Sequence, residues 1–311
     1  MFERGTQPFG PGWKEHAARV ASGIRCRVLE HTLRNNGGYL SQACSSAEAL
    51  AALYSGIMRL KPSVAPLLPL PFPGVPGRDN PGTFTGAGYN GPHEPELDRF
   101  FFSPVHYALV LYSALIETGR LSPDALRQFN RDGSSVELIG AEHSPGHEVT
   151  AGSLGQCISQ AGGIALARRL KGESGRNFVF MSDGEFQEGQ VWEAFAALAW
   201  YRLDNVAVYV DVNGQQCDGR MDPRHAAPIA ERLAAFGAHV HVVDGHDLDA
   251  LAAPVQAGWS GAPLVVLAAT DPCRGMDLLR SRGDRLHYVR FKNEQEMAAY
   301  QSVLDAMRRD P

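Results

Sequence analysis

The amino-acid sequence predicts an α/β protein in three layers, α/β/α, with a mainly parallel sheet covered by helices on both faces. Two observations carry this. Short apolar or β-branched runs occur at Phe178-Val179-Phe180, Val206-Ala207-Val208-Tyr209-Val210, Val240 to Val243 and Leu264 to Leu267. They have the length and continuity of strands buried on both sides. Helical patterns over His106 to Thr118, Ser153 to Leu170, Gly189 to Trp200 and Ala226 to Phe236 are interleaved with these runs. Regular strand–helix alternation builds parallel sheets through crossover connections.

In chain order, residues 13 to 34 carry a mixed apolar and basic pattern that stops at Asn35-Asn36-Gly37-Gly38, residues that tolerate the left-handed conformation closing a helix. A second helix is expected to start near Ser45-Ser46-Ala47-Glu48, a plausible N-cap leading into Ala49-Leu50-Ala51-Ala52-Leu53-Tyr54. From Pro62 to Pro95, an excursion reaching about residue 97, the chain is rich in Pro and Gly and loses periodicity. Such a stretch is either a surface detour or a loop that rims a site or an interface. The interleaved strands and helices follow, and Asn293 to Arg309 reads as a terminal helix. No repeat of fixed period is present, and residues 1–311 are expected to form one domain.

Composition narrows the function classes. The 311 residues are 44% hydrophobic and 20% charged, with a formal net charge of -5 and a pI near 6.1. That balance suits a globular chain with an ample core, and no dense Lys/Arg block favours nucleic acid. Apolar runs such as Pro263 to Ala269 are far too short to span a bilayer. Met1-Phe2-Glu3-Arg4-Gly5 has no apolar signal core. Five cysteines stand far apart without a CxxC pair, so a disulfide scaffold or zinc ribbon is not expected and a reducing cytoplasm is.

The chemistry concentrates in Met181-Ser182-Asp183-Gly184-Glu185-Phe186-Gln187-Glu188-Gly189-Gln190-Val191-Trp192-Glu193-Ala194, followed by Val210-Asp211-Val212-Asn213-Gly214-Gln215-Gln216. Asp183 lies just past one predicted strand and Asn213 just past the next. In an open parallel sheet both tips face the crevice where ligands bind. An Asp oxygen, an Asn amide oxygen and a nearby carbonyl form a partial hard-oxygen set suited to Mg²⁺, which takes its other positions from phosphates and water. Taken alone, Asp-Gly and Asn-Gly are ordinary turn dipeptides; a spacing of thirty residues around a helix gives them more weight.

These segments resemble the thiamine diphosphate signature, and Asp-Gly-Glu-x-x-Glu-Gly-x-x-Trp-Glu-Ala with Asp-Val-Asn-x-x-Gln-x-Asp-Gly is similar to the transketolase family in particular. Pro145-Gly146-His147-Glu148-Val149-Thr150-Ala151-Gly152-Ser153-Leu154-Gly155-Gln156 resembles that family's Thr-Thr-Gly-Ser-Leu-Gly-Gln turn. Phe236-Gly237 followed by Val243-Asp244-Gly245-His246-Asp247 is family-like as well. The likeness is dense from about residue 98 to 290.

The resemblance implies a thiamine diphosphate-binding fold and ketol transfer between sugars. It implies Asp183, Asn213 and the Gln215 carbonyl as Mg²⁺ ligands, and Gly152, Ser153, Leu154, Gly184 and Glu185 beside the cofactor. Glu188 matches a carboxylate at the dimer contact that couples two cofactor sites. His106 matches the histidine of Ser-Lys-Gly-His-Ala, and His143 or His147 corresponds to a substrate-facing one. Histidine suits proton movement at sugar hydroxyls near neutral pH. His16, His31, His239 and His241 are assigned surface or packing roles. The family's second domain, which carries the activating glutamate and the pyrimidine pocket, should follow this one. With the sequence ending at Pro311, the expectation is a split enzyme whose C-terminal subunit is a separate chain, assembled as α2β2 without nucleic acid or membrane.

Two departures bear on substrate. Tyr39, in Asn36-Gly37-Gly38-Tyr39-Leu40-Ser41-Gln42, stands where the family's Ser-Gly-His-Pro-Gly histidine would meet substrate hydroxyls. Ser103-Pro104-Val105-His106-Tyr107 keeps its histidine but loses the lysine and glycine. A phenol keeps a hydrogen-bonding oxygen but titrates near 10, so it is a weaker acid–base group at pH 7. The expectation is ketol transfer on an atypical substrate, a modified sugar or its phosphate, with ordinary pentose phosphates as the alternative. Two alternatives are the α subunit of a 2-oxo acid dehydrogenase and a non-catalytic paralogue. Trp192-Glu193-Ala194 and Gln215-x-x-Asp218-Gly219 favour transketolase over the first, and retention of Asp183, Asn213 and Glu188 argues against the second. A dinucleotide-binding enzyme is rejected, because Gly172-Glu173-Ser174-Gly175 is not a Gly-x-Gly-x-x-Gly turn.

Overall fold

The computed structural model describes residues 8–81, 85–217, 219–221 and 226–309. Its main sheet contains β1 (Arg99–Phe102), β2 (Asn177–Ser182) and β3 (Val206–Val212). A two-residue hairpin, β4 (Gln215–Gln216) and β5 (Gly219–Arg220), stands apart from it. The sheet is completed by β6 (His239–Asp244) and β7 (Leu264–Ala269) in the order β1-β2-β3-β7-β6, every neighbouring pair being parallel.

Side-chain alternation along the strands divides the core in two. Phe178, Phe180 and Tyr209 face a cluster shared with α1 (Trp13–Asn35), α2 (Leu40–Ala52), α3 (Ala108–Glu117), α7 (Leu248–Ala257) and α8 (Glu294–Arg309). Val179, Met181, Val208 and Val210 face α4 (Cys157–Leu170), α5 (Gly189–Trp200) and α6 (Ala226–Ala235). The expected three-layer α/β/α arrangement is therefore present. Each large apolar side chain buried this way contributes roughly 1.5–3 kcal/mol.

Several boundaries differ from the sequence expectation. The second helix begins at Leu40 after Tyr39, which makes no side-chain cap bond, so Ser45 and Ser46 lie in its interior. Ser46 Oγ donates to the Gln42 carbonyl at 2.6 Å, and Ser45 Oγ donates to Asp211 Oδ2 at 2.6 Å. A buried tertiary acceptor claims a hydroxyl that would otherwise read as a cap. The segment starting at His106 opens with a 3-10 turn, Val105–Tyr107, and becomes α-helical at Ala108. Ser153 to Gly155 form a turn ahead of α4. β1 and α7 are not evident from pattern: β1 has only four residues, and Pro254 inside α7 reads as a helix breaker. Asp247 starts α7 by accepting the Asp249 and Ala250 amides at 2.9 and 3.2 Å. β6 sits at the sheet edge with Val242 54% exposed, so the expected burial on both faces does not hold there.

The Pro/Gly-rich excursion is tied down along its described parts. Buried Arg120 donates to the Lys61 and Tyr89 carbonyls at 3.0 and 3.2 Å. The Phe72 amide donates to the Gly133 carbonyl at 2.9 Å, and the Ser122 amide to the Leu67 carbonyl at 2.8 Å. Gly86 passes so close to the Ser144 carbonyl that a Cβ would lie 1.7 Å from its oxygen, so only glycine fits.

Candidate functional site

Because β2 and β3 are parallel neighbours, with Ser182 level with Asp211, the residues that follow them emerge side by side at one edge of the sheet. Asp183 and Asn213 are 1% and 6% exposed there. Asp183 Oδ2 accepts the Gly214 amide at 2.9 Å, whereas its buried Oδ1 has no partner. Asn213 Oδ1 accepts the Gln215 amide at 2.8 Å. The buried Gln215 Oε1 is also without a partner. Burial first, then the Asp211 carboxylate, push Asp183 up to about 7. A cation beside it would offset both causes.

Among the described residues no group of three or more His, Cys, Asp or Glu side chains could hold a metal. A cation at the strand tips would therefore rest on one carboxylate with amide and carbonyl oxygens, leaving coordination places for oxygens of a ligand, the usual pattern for Mg²⁺. Open space lies beside the Gly184 Cα, where a Cβ would meet nothing within 4 Å. Gly152, Ser153 and Leu154 form an exposed turn, and Gln190 Nε2 donates to the Leu154 carbonyl at 2.7 Å. Glu188 is exposed just before α5. Asp218 lies outside the described residues.

Glu185, expected at the cofactor, is wholly buried, and both its carboxylate oxygens are hydrogen-bonded within the protein. Its Oε2 accepts the Ser182 amide at 2.8 Å and the Ser182 hydroxyl at 3.2 Å. Its Oε1 accepts the Gly155 amide at 3.1 Å and the Ser103 hydroxyl. The carboxylate thus joins the exits of β1 and β2 to the glycine turn. Burial raises its pKa, against the hydrogen bonds that favour the charged form.

A second group of side chains gathers around Tyr39. Its ring meets His106, His287 and Tyr288 edge-on at 5.3, 5.4 and 5.0 Å, and the two histidine rings are 5.3 Å apart. Burial, with His287 adding a smaller effect, lowers His106 to about 3. Burial likewise raises the Tyr39 phenol. His287 and Tyr288 arrive on a segment clasped to the start of α2. Gly38 and Val289 exchange backbone hydrogen bonds of 3.1 and 2.9 Å, and Gln42 Nε2 donates to the His287 carbonyl at 3.0 Å.

The other two predicted histidines make no ring contact with this group. His143 stacks on Phe72 of the excursion at 3.9 Å and contacts Glu137 at 3.0 Å. His147 has 0% exposure, packed edge-on against Phe102 and Tyr112, and burial lowers it to about 4. It is an interior residue in this structure. Pattern reading missed His287 and Tyr288, for which no local signal exists, and Asp211, Ser45 and Tyr107, which surround the Asn213 amide. Asp211 could have been found, since a strand places residues two apart on one face.

Residues 88–266 match the family described as "Transketolase, thiamine diphosphate binding domain". The chain is 33% identical over 294 residues to the transketolase family protein y4mO of Sinorhizobium fredii, covering 90% of this chain and 93% of that protein. It is 31% identical to the 6-deoxy-6-sulfo-D-fructose transketolase subunit SqwG of Clostridium sp., covering 84% and 86%. Against human transketolase-like protein 2 identity is 32%, over 83% of this chain but only 37% of the relative. Among solved structures, a transketolase from Pichia stipitis superposes with a TM-score of 0.68 at 21% identity, over 94% of this chain and 44% of that one. At that identity the superposition speaks for the fold alone.

Proposed function

The chain belongs to the transketolase family, and from that premise we propose that it is the diphosphate-binding subunit of a two-component transketolase dependent on thiamine diphosphate and Mg²⁺. It transfers a two-carbon ketol unit from a ketose, a sugar phosphate or a modified sugar, to an aldehyde acceptor. The observation that carries this reading is the buried, unpaired Asp183 Oδ1 beside Asn213 at the tips of adjacent parallel strands. The subunit reading is supported by matches that cover 93% of the Sinorhizobium relative and 86% of the Clostridium relative, the latter named a transketolase subunit. A second chain supplies the pyrimidine-binding domain, in an α2β2 assembly with Glu188 at the contact between sites. The five free cysteines accord with a reducing cytoplasm, and no described helix is long and apolar enough to cross a membrane.

When bound, thiamine diphosphate supplies the nucleophilic carbon for C–C cleavage and re-formation. This chain's residues bind and orient. Asp183, Asn213 and the Gln215 carbonyl would hold Mg²⁺, and Gly184 with the Gly152 to Leu154 turn would admit the diphosphate to the backbone. His106, lowered to about 3, is a neutral imidazole at pH 7, so its unprotonated ring nitrogen accepts a hydrogen bond from a sugar hydroxyl. Tyr39, raised by burial, stays a phenol and donates to a sugar oxygen. The ring cluster walls the donor position, and the modified sugar named for the Clostridium relative supports a donor outside the common ketose phosphates.

The test is calorimetric titration of the chain, co-purified with its partner, with thiamine diphosphate and Mg²⁺, followed by a donor and acceptor panel. Binding with ketol transfer is the expected result. Absence of binding by the purified complex would overturn the reading.

A further inference from the structure

Asn213 is oriented from both ends of its amide. On one side Oδ1 receives the Gln215 backbone N–H at 2.8 Å, a group that only donates. On the other, Nδ2 lies 2.8 Å from Asp211 Oδ2, a carboxyl oxygen that also receives the Ser45 hydroxyl at 2.6 Å and the Tyr107 hydroxyl at 3.4 Å and so stands as an acceptor. Tyr107 OH and Ser45 Oγ complete the acceptors around Nδ2 at 3.0 and 3.2 Å. Tyr107 and Ser45 can also donate, so neither hydroxyl by itself distinguishes the two amide orientations. Asp211 does.

Asp211 is wholly buried, and besides the longer contact from Tyr107 it is held by short hydrogen bonds from two other segments. Thr270, just beyond β7, donates to its Oδ1 at 2.6 Å, and Ser45 of α2 donates to its Oδ2 at 2.6 Å. We propose that Asp211 is a positioning residue: it fixes the Asn213 amide with nitrogen inward and oxygen outward, presenting Oδ1 for cation binding. A flipped amide would present an NH₂ group to the cation and leave the Gln215 N–H without its acceptor. This inference rests on the proposed cofactor reading for its purpose, while the orientation itself stands on hydrogen bonds within the chain.

The experiment uses the full chain with Asp211→Val, which keeps a β-branched side chain of similar size but removes the acceptor, and Asp211→Asn as the conservative variant. An asparagine can still turn its oxygen toward Asn213 while Thr270 accepts from its NH₂. Amide hydrogen exchange is read at Gln215, which bonds Asn213, and at Gly214, which bonds Asp183. In Asp211→Val, Gln215 should lose protection at least tenfold while Gly214 keeps it, and Asp211→Asn should retain both. A general loosening would move both amides together and overturn the proposal, as would unchanged Gln215 protection. Thr270→Val, which keeps the carboxylate but removes one of its supports, should give a smaller loss at Gln215 alone; no loss there overturns the proposal if Asp211→Val does not fold. Titration with thiamine diphosphate at saturating Mg²⁺ separates the two claims. Failure of the wild-type complex to bind removes the cofactor reading, while binding by wild type and Asp211→Val with equal affinity removes the positioning role.

Discussion

Glu185 holds Gly155. Its Oε1 accepts the Gly155 amide at 3.1 Å across a separation of thirty residues, while its Oε2 stays on the Ser182 amide at 2.8 Å. Gly155 is in the left-handed region at φ 77°, and a Cβ there would lie 2.8 Å from Val191 Cγ2. One buried carboxylate therefore sets the distance between the glycine turn and the tip of β2, the two segments expected to flank the diphosphate. Replacing Glu185 by Ala would leave the Gly155 and Ser182 donors unsatisfied in the interior. A loss of about 3 kcal/mol is expected for such buried donors, read as a shift in the urea midpoint with an unchanged slope; an unshifted midpoint would mean that water or another group replaces the carboxylate.

Asp183→Ala removes the buried oxygen left unpaired at the site. Affinity for thiamine diphosphate with Mg²⁺ should fall by at least a hundredfold in calorimetry while the circular dichroism spectrum is retained. Equal affinity would remove Asp183 from the cation site.

Tyr39→His changes the ring that touches His106, His287 and Tyr288. Donor preference, measured as kcat/KM over a ketose panel, should move toward common ketose phosphates. An identical donor profile would show that specificity is set elsewhere.

His147 makes stability fall in acid. Its folded pKa is near 4, below its ordinary 6.5, because burial disfavours the charged ring. The unfolded chain therefore binds the proton first, so the contribution is full above pH 6.5 and is lost as pH falls from 6.5 toward 4. One pKa unit corresponds to about 1.4 kcal/mol, so the whole effect is about 3 kcal/mol. Urea denaturation of wild type and His147→Phe at pH 7 and pH 5 should show a shallower pH slope for the variant, and parallel slopes would place the acid sensitivity on other groups.

Arg120 secures the excursion through the Lys61 and Tyr89 carbonyls and lies with its guanidinium 5.8 Å from the Tyr54 ring centre. Arg120→Ala should leave both carbonyls unpaired, cost roughly 2 kcal/mol, and speed proteolytic cutting between residues 62 and 81. An unchanged cleavage rate would mean that the other backbone ties suffice.

Legibility in the sequence followed the range of the interactions. β2, β3 and β7 were readable because strands buried on both faces need continuous apolar runs, and α5 because its pattern sits between two of them. Asp183 and Asn213 were readable for the same reason: once two adjacent parallel strands are placed, their carboxyl tips must share an edge. α7 was hidden because Pro254 breaks the local rule while packing keeps the helix. The start of α2 is not legible from pattern, because Ser45 looks like a cap while its hydroxyl belongs to Asp211, far along the chain.

The sequence alone determined the parallel sheet, its strand-tip oxygen donors and the departures at Tyr39 and Ser103-Pro104-Val105, all of which depend on short-range pattern and motif. Only the tertiary structure decided that His287 and Tyr288 join Tyr39, that His147 is interior, that Glu185 is bonded within the protein and that Asp211 meets the Asn213 amide. Each of these depends on contacts between residues distant in the chain. A side chain's direction and its hydrogen-bond partners are set by which elements pack together, and no local periodicity encodes that.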